Sequence, residues 1–182
     1  MLQRRLFVGI PLSSALTKRI VREMETWPKD VFLKVERENL HVTLFFLGFI
    51  REENVSEICT KVRQLAETID SFEMVFSGIQ CMPSEDEAKM VWLSGEPSDA
   101  LRDLKIALQL ELSYVMASEP KIYRPHITLA RIKKTRFQAL DPKPLIEKKI
   151  HLVEPVESVV VYESIMEDGK RKYSPLETVP LA

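Results

Sequence analysis

Residues 40–48 of the sequence read LHVTLFFLG, and residues 126–131 return to the same pattern as HITLAR. The chain has three histidines, and two of them, His41 and His126, begin these repeats. Because successive side chains of a strand point to opposite faces, each histidine shares a face with the threonine two residues later. Each repeat therefore predicts a strand that presents one imidazole beside one hydroxyl, with its apolar side chains in the core.

The elements predicted around these two strands do not alternate as a parallel βαβ protein would. Apolar alternation predicts strands at 6–11, 31–35, 40–48, 72–76, 90–93, 126–132, 156–164 and a closing segment through 173–180. Helical spacing predicts helices from Ser13 or Ser14 to Trp27, over 55–69, and from Ser98 to Val115. Residues 121–123 are predicted to be extended, 133–155 to be a loose connection, and Asp168-Gly169 to be a turn. This order favours an α+β fold with two similar lobes, each carrying one histidine strand.

Length and composition describe an ordinary globular chain. The protein has 182 residues, of which 45% are apolar and 29% charged, and we expect residues 1–182 to form one domain. No stretch approaches the roughly 18 consecutive apolar residues of a membrane helix, and the short apolar run before Pro11 is not a signal peptide, so we expect a cytoplasmic protein without a membrane partner. Cys59 and Cys81 lack paired spacing, which predicts neither a disulfide scaffold nor a zinc ribbon.

Charge is distributed unevenly along the chain. Residues 121–150 carry 9 basic and 2 acidic groups, whereas residues 51–119 carry 6 and 14, and the net charge is only −1. Proteins that coat long nucleic acids are usually strongly basic in total, so the pattern favours a local phosphate site in or near 121–150. The alternative is that the lysines of this segment only solvate a surface, namely Lys133, Lys134, Lys148 and Lys149.

Two imidazoles at one cleft suit phosphodiester chemistry without a metal. A neutral imidazole can take a proton from the attacking oxygen, while an imidazolium gives one to the leaving oxygen. The threonine hydroxyls can donate to the phosphate oxygens, and a guanidinium from Arg124 or Arg131 can add positive charge. If the two lobes pair about a pseudo-twofold axis, the repeats place these groups together.

The histidines also have less specific interpretations. Both could be core residues with satisfied hydrogen bonds, although their duplication in the same tetrapeptide argues against this. A zinc site needs further ligands, and neither repeat has them nearby. His151 has no threonine two residues later and is predicted to be structural. The five glycines form no GxGxxG, P-loop or GxSxG motif, which argues against nucleotide-cofactor enzymes and serine hydrolases. We predict neither a cofactor nor a metal.

The repeats resemble the paired HxTx motifs of the 2H phosphoesterase superfamily, and within it the RNA 2′,3′-cyclic phosphodiesterases, also called 2′-5′ RNA ligases. The resemblance covers nearly the whole chain. The other segments that are similar to that subgroup are 5–11, Glu38-Asn39-Leu40, Tyr162-Glu163-Ser164, Gly169 and Tyr173. The resemblance implies two pseudo-symmetric lobes, each an antiparallel sheet with helices on the outside, and an active-site cleft between them.

The resemblance also implies a role for each motif residue. His41 would be the proton donor to the leaving ribose oxygen and His126 the proton acceptor that activates water. Thr43 and Thr128 would hold the phosphate, and Arg131 would assist them. Arg131 is an odd number of residues from His126, so a regular strand would point it away from the cleft, and a bulge or strand end is needed to bring it in.

The implied substrate is RNA with a terminal 2′,3′-cyclic phosphate, which the protein would open to a 2′-phosphate; tRNA fragments are among the candidate RNAs. The same site could also run the reverse reaction, 2′-5′ ligation. We expect the protein to be a monomer. One rival function is a 2H phosphodiesterase acting on a small cyclic nucleotide or a 2′-5′ oligonucleotide. Another is a non-catalytic module that binds RNA ends. Phe45, Phe46 and Tyr123 are candidates for stacking on a base, with a place in the core as their alternative.

Overall fold

The computed structural model describes residues 2–115 and 123–182. Within these residues the strands are β1 Gln3–Pro11, β2 Phe32–Lys34, β3 His41–Arg51, β4 Phe72–Met82, β5 Met90–Gly95, β6 His126–Ile132, β7 Lys148–Val156, β8 Ser158–Glu167 and β9 Lys170–Pro180. The helices are α1 Ser14–Glu25, α2 Glu52–Ala66, α3 Asp99–Glu111 and α4 Lys134–Gln138. A short 3₁₀ helix, Arg37–Asn39, precedes β3.

All the strands join one antiparallel sheet that divides into two halves. Its order is β7-β4-β5-β6-β3-β1-β8-β9, with β2 also beside β6. We call β3, β1, β8 and β9 lobe 1, and β6, β5, β4, β7 and β2 lobe 2. The lobes meet at β3 and β6, where Val42 pairs with Ile127. The α+β class and the two-lobed architecture expected from the sequence are confirmed.

The two faces of the sheet bury different residues. The apolar sides of α1, α2 and α3 pack on one face in a core that includes Leu6, Val8 and Ile10 of β1. Phe7, between them, belongs to a separate cluster on the opposite face. We call this opposite face the inner face, since it carries His41 and His126.

Helix α1 connects the two lobes. Ser13 caps it, because its Oγ accepts a hydrogen bond from the backbone N–H of Leu16 at 3.1 Å. The same hydroxyl donates to the carboxylate of Glu154 on β7 at 2.9 Å, and Glu154 is buried. A helix that follows a strand of lobe 1 is thus fastened to the edge strand of lobe 2, and the lobes are interleaved.

The sequence prediction was wrong for residues 133–155, which hold α4 and most of β7 rather than a loose connection. As an edge strand, β7 exposes Lys148, Lys149 and His151, so its apolar alternation is weak. Pro155 is tolerated there because an edge strand does not need every N–H for pairing. The other predicted strands and the three longer helices are present, with shifted ends. Of the predicted extended segment 121–123, residues 121 and 122 lie outside the described residues.

Two further predictions concern membranes and cysteines. Among the described residues no helix has the length and apolarity to cross a membrane. Cys59 on α2 and Cys81 on β4 are free and buried. Burial raises the pKa of both thiols, that of Cys81 to about 11, so neither is a ready nucleophile.

Candidate active site

The two HxT repeats lie side by side where the lobes meet. Since Val42 pairs with Ile127 in an antiparallel register, His41 and Thr128 are cross-strand neighbours, as are Thr43 and His126. The four polar side chains are partly exposed, while the apolar residues between and after them are buried: Val42, Leu44, Ile127 and Leu129. The structure therefore brings the four motif residues to one place on the inner face.

Both imidazoles are held in the same tautomer. Nδ1 of His41 lies 2.7 Å from the carbonyl oxygen of Asn39, and Nδ1 of His126 lies 2.8 Å from that of Arg124. A carbonyl only accepts hydrogen bonds, so Nδ1 carries the proton in each neutral ring. Nε2 is left with its lone pair, as a general base requires.

The two Nε2 atoms differ in their partners. The hydroxyl of Thr43 lies 2.9 Å from Nε2 of His41, and it donates to that nitrogen when the ring is neutral. Within residues 2–115 and 123–182, Nε2 of His126 has no hydrogen-bond partner and is open to a ligand. The backbone symmetry of the two repeats therefore does not extend to the reactive nitrogens.

The surroundings favour neutral rings in the free protein. Burial lowers the pKa of His41, and the nearby charge of His126 lowers it further, while the hydrogen bond to Asn39 opposes both effects. Burial also lowers the pKa of His126, opposed by the hydrogen bond to Arg124. An anionic phosphate at the cleft would favour the imidazolium form and raise these values again.

Aromatic rings enclose His41. Its ring centre lies 4.9 Å from that of Phe7, 5.0 Å from that of Tyr173 and 5.6 Å from that of Tyr162. Gly9 of β1, the partner of Thr43, lies against this ring: a Cβ there would be only 2.9 Å from the carbonyl oxygen of Val42 and 3.3 Å from the His41 ring. Gly9 therefore lets the rings pack against His41.

Asn39 fixes the segment that leads into the first repeat. Its Nδ2 donates to the carbonyl of Arg171 at 2.8 Å, and its Oδ1 accepts from the N–H of Tyr173 at 3.0 Å. The residue that orients His41 through its carbonyl is thereby bound to β9. Sequence reasoning used Asn39 and Tyr173 only for the family resemblance, because a single asparagine between strands does not reveal its distant partner.

Trp92 covers His126 in lobe 2. The two rings are stacked, with centres 3.6 Å apart and an interplanar angle of 15°. Trp92 pairs with Thr128 across β5 and β6, as Gly9 pairs with Thr43 across β1 and β3. The sequence predicts the strand that holds Trp92, but not that this strand lies beside the second repeat.

A bulge in β6 determines where Arg131 lies. Thr128 pairs with Trp92 and Ala130 with Val91, which leaves Leu129 as an additional residue. Leu129 and Ala130 are both buried and Arg131 is exposed, so the alternation shifts by one residue. The bulge that the sequence required is present, and Arg131 lies on the same face as His126.

The same bulge occurs in β3 and determines the position of Phe46. Thr43 pairs with Gly9 and Phe45 with Val8, which leaves Leu44 as the additional residue. Phe46 is therefore the counterpart of Arg131, five residues after its histidine. The two lobes present a phenyl ring and a guanidinium at equivalent positions of the cleft.

Of the aromatic residues considered for base stacking, only Phe46 presents an accessible ring. Phe45 is buried in the core, whereas Phe46 is 53% exposed. Tyr123 is partly buried and donates from its hydroxyl to the carbonyl of Thr43 at 2.9 Å. His151 lies on edge strand β7, three strands away from β6. Among the described residues no three His, Cys, Asp or Glu side chains are grouped as metal ligands would be.

Comparison with known proteins gives a consistent result. The sequence model of the 2′-5′ RNA ligase superfamily matches residues 14–160. An RNA 2′,3′-cyclic phosphodiesterase of Thermotoga maritima is 31% identical over 131 residues, 71% of this chain and 70% of that protein. One of Methanothermobacter thermautotrophicus is 31% identical over 134 residues, 72% and 73% of the two chains. The crystal structure of TT0787 of Thermus thermophilus has a TM-score of 0.82 at 25% identity, covering 97% of each chain.

Proposed function

Because the chain belongs to the 2′-5′ RNA ligase superfamily, we propose that it opens the terminal 2′,3′-cyclic phosphate of RNA to a 2′-phosphate. The observation that carries this proposal is the pair of imidazoles on adjacent strands, each with Nδ1 bound to a carbonyl, so that Nε2 is the nitrogen that faces the inner side of the sheet. The relatives named RNA 2′,3′-cyclic phosphodiesterase support this substrate class.

The proposed reaction is an in-line displacement at phosphorus. Nε2 of His126, which has no competing partner among the described residues, takes a proton from water as the oxygen attacks. The bond from phosphorus to the 3′ oxygen breaks, and the imidazolium of His41 gives that oxygen its proton. The products are a 3′-hydroxyl and a 2′-phosphate. With a 5′-hydroxyl in place of water, the same arrangement joins RNA ends through a 2′-5′ linkage.

Three groups are proposed to bind the phosphate. The hydroxyls of Thr43 and Thr128 donate to the non-bridging oxygens as negative charge grows on them. Thr43 has to leave Nε2 of His41 to do so, which frees that nitrogen for the leaving oxygen. Arg131, brought to the inner face by the bulge, adds a permanent positive charge.

The terminal base is proposed to stack on Phe46. Its ring is exposed on the inner face, and its centre lies 5.9 Å from that of Phe7. Phe7 in turn contacts His41. A phenyl ring has no hydrogen-bond donor or acceptor and accepts any base. We propose that the protein acts as a monomer, because one chain supplies both repeats, and that its substrates include tRNA fragments with cyclic phosphate ends.

The test is turnover of an RNA oligonucleotide ending in a 2′,3′-cyclic phosphate, in excess chelator, with the product identified by phosphorus NMR. The wild type, His41→Ala, His126→Ala and His151→Ala are compared, the last as a control because His151 is exposed on β7. We expect the 2′-phosphate from the wild type and His151→Ala, and losses of at least about 10²-fold in the other two. Binding without turnover by the wild type would indicate a module that only binds RNA ends, and turnover of mononucleotides alone would indicate a small cyclic nucleotide as substrate.

A further inference from the structure

We propose that the inner face of lobe 1 carries a second nucleotide subsite, in which Phe49 stacks on the base preceding the terminal nucleotide and Arg5 binds the phosphate between them. The inference rests on the proposed function and extends it from the reacting end to the RNA strand behind it. It is carried by two exposed phenyl rings on one face and an unpaired guanidinium beside them, among the residues that the structure describes.

A second irregularity in β3 places Phe49 on the inner face. Phe46 and Phe49 are three residues apart, so a regular strand would point them in opposite directions. Phe46 pairs with Phe7 and Gly48 with Leu6, which leaves Leu47 as an additional residue, and Gly48 has a φ of +80°. This left-handed conformation suits glycine and returns the next side chain to the face of Phe46.

Burial agrees with this assignment. The rings of Phe46 and Phe49 are 53% and 69% exposed, while Leu47 and Ile50 are buried in the core beneath the helices. Two large apolar rings in solvent on a face that also carries the catalytic cleft are typical of a ligand surface rather than of a core.

Arg5 adds the charge that an RNA phosphate requires. It pairs directly with Phe49 across β1 and β3, and it shares the inner face with Phe7, two residues further along the strand. Its guanidinium has no hydrogen bond or ion pair within the part of the chain that the structure describes. Its neighbour Arg4 is, by contrast, paired with Glu52 and Glu163. Arg5 is therefore available to an anion.

The spacing suits consecutive nucleotides of a single strand. The partners of Phe46 and Phe49 on β1 are Phe7 and Arg5, two residues apart, so the strand positions that carry the rings are about 7 Å apart. Two consecutive nucleotides of an extended strand can span such a distance, with the terminal base on Phe46 and the preceding base on Phe49. Proteins commonly bind single strands through exposed aromatic rings beside cationic side chains, without regard to sequence.

An RNA strand is favoured over an apolar protein segment because the surface continues from the reacting end of the substrate. Phe7 contacts both His41 and Phe46, and Arg5 then lies beside Phe49. An apolar protein segment would give the guanidinium of Arg5 no anionic partner, whereas the phosphate between two nucleotides would pair with it.

The test compares a 2′,3′-cyclic mononucleotide with a dinucleotide that ends in the same cyclic phosphate. For Phe49→Ala we expect kcat/KM on the dinucleotide to fall about tenfold, mainly through KM, and the mononucleotide to change less than twofold. Phe49→Tyr should keep the wild-type kcat/KM on both substrates. Arg5→Gln should raise the KM for the dinucleotide and reduce the dependence of that KM on salt concentration. Leu110→Ala, on the outer side of α3 and 72% exposed, is the matched control. Equal losses on both substrates, or none on either, would overturn the subsite.

A binding measurement separates this subsite from the proposed activity. Fluorescence anisotropy with a labelled tetranucleotide ending in a 2′-phosphate needs no turnover. We expect about tenfold weaker binding by Phe49→Ala than by the wild type or Leu110→Ala. Equal binding by all three refutes the subsite. The expected difference, together with a wild type that turns over neither cyclic substrate, supports the subsite and refutes the proposed hydrolysis.

Discussion

The indole of Trp92 lies parallel to the imidazole of His126, with the two ring centres 3.6 Å apart. In lobe 1 the equivalent position beside the first repeat is Gly9, and His41 is instead enclosed by the rings of neighbouring strands. Backbone symmetry therefore produces two imidazoles with the same tautomer and different neighbours. Such a difference is what an acid and a base acting on one phosphate require.

Removing the indole should change the pH dependence of the reaction. Burial is the main cause of the lowered pKa of His126, so Trp92→Ala is expected to raise that pKa towards its ordinary value. A base works only when deprotonated, so the acidic limb of the kcat/KM profile should move to higher pH. Trp92→Phe, which keeps a stacked ring, should leave the limb near its wild-type position. An unmoved or lowered limb in Trp92→Ala would contradict this account of His126.

The wild-type profile should be bell-shaped, with its optimum on the acidic side. The acidic limb reports deprotonation of His126 and the alkaline limb deprotonation of His41, and both pKa values are lowered. We therefore expect the kcat/KM maximum below about pH 6.5, the ordinary histidine value. Because bound phosphate favours the His41 imidazolium, the alkaline limb of kcat should lie at higher pH than that of kcat/KM. A profile that rises or falls monotonically on both sides of pH 6.5, with no maximum on the acidic side, would exclude the acid–base pair.

Sequence patterns could predict the parts of the site that depend on local order. The HxT spacing placed His41 and Thr43 on one face, and Ser13 and Ser98 marked the starts of two helices, because strand alternation and capping act over a few residues. Asn39 and Trp92 could not be given roles, since each acts through a strand distant in sequence. The bulge at Leu129 was required by the position of Arg131, but only the pairing with β5 shows it.

Arg131 should contribute to phosphate binding through the positive charge of its guanidinium. Arg131→Met keeps the length of the side chain and removes the cation, and we expect kcat/KM to fall about 10²-fold. Arg136→Met is the control, because Arg136 lies on α4 and makes a surface ion pair with Asp30 at 3.4 Å. Steady-state kinetics on the cyclic phosphate oligonucleotide distinguish them. Equal activity of the two variants would remove Arg131 from the site.

Loss of the Asn39 side chain should loosen the segment of chain that leads into His41. Asn39→Ala removes two hydrogen bonds to β9, and at about 1 kcal/mol each we expect the free energy of unfolding to fall by about 2 kcal/mol. Since the Asn39 carbonyl orients Nδ1 of His41, kcat should fall about tenfold even well below the melting temperature. Asn54→Ala on α2 serves as the control. If kcat is unchanged in folded Asn39→Ala, the link to β9 contributes only to stability.

The link between α1 and lobe 2 should contribute to stability and not to chemistry. Ser13→Ala removes a helix cap and also one partner of the buried carboxylate of Glu154. Ser98→Ala is the matched control, because Ser98 caps α3 through the N–H of Leu101 at 3.2 Å and has no such carboxylate. We expect urea unfolding to give a loss of about 1 kcal/mol for Ser98→Ala and about 2–3 kcal/mol for Ser13→Ala, with kcat unchanged in both. Equal losses would mean that the hydrogen bond from the serine hydroxyl to Glu154 contributes nothing to stability beyond the helix cap.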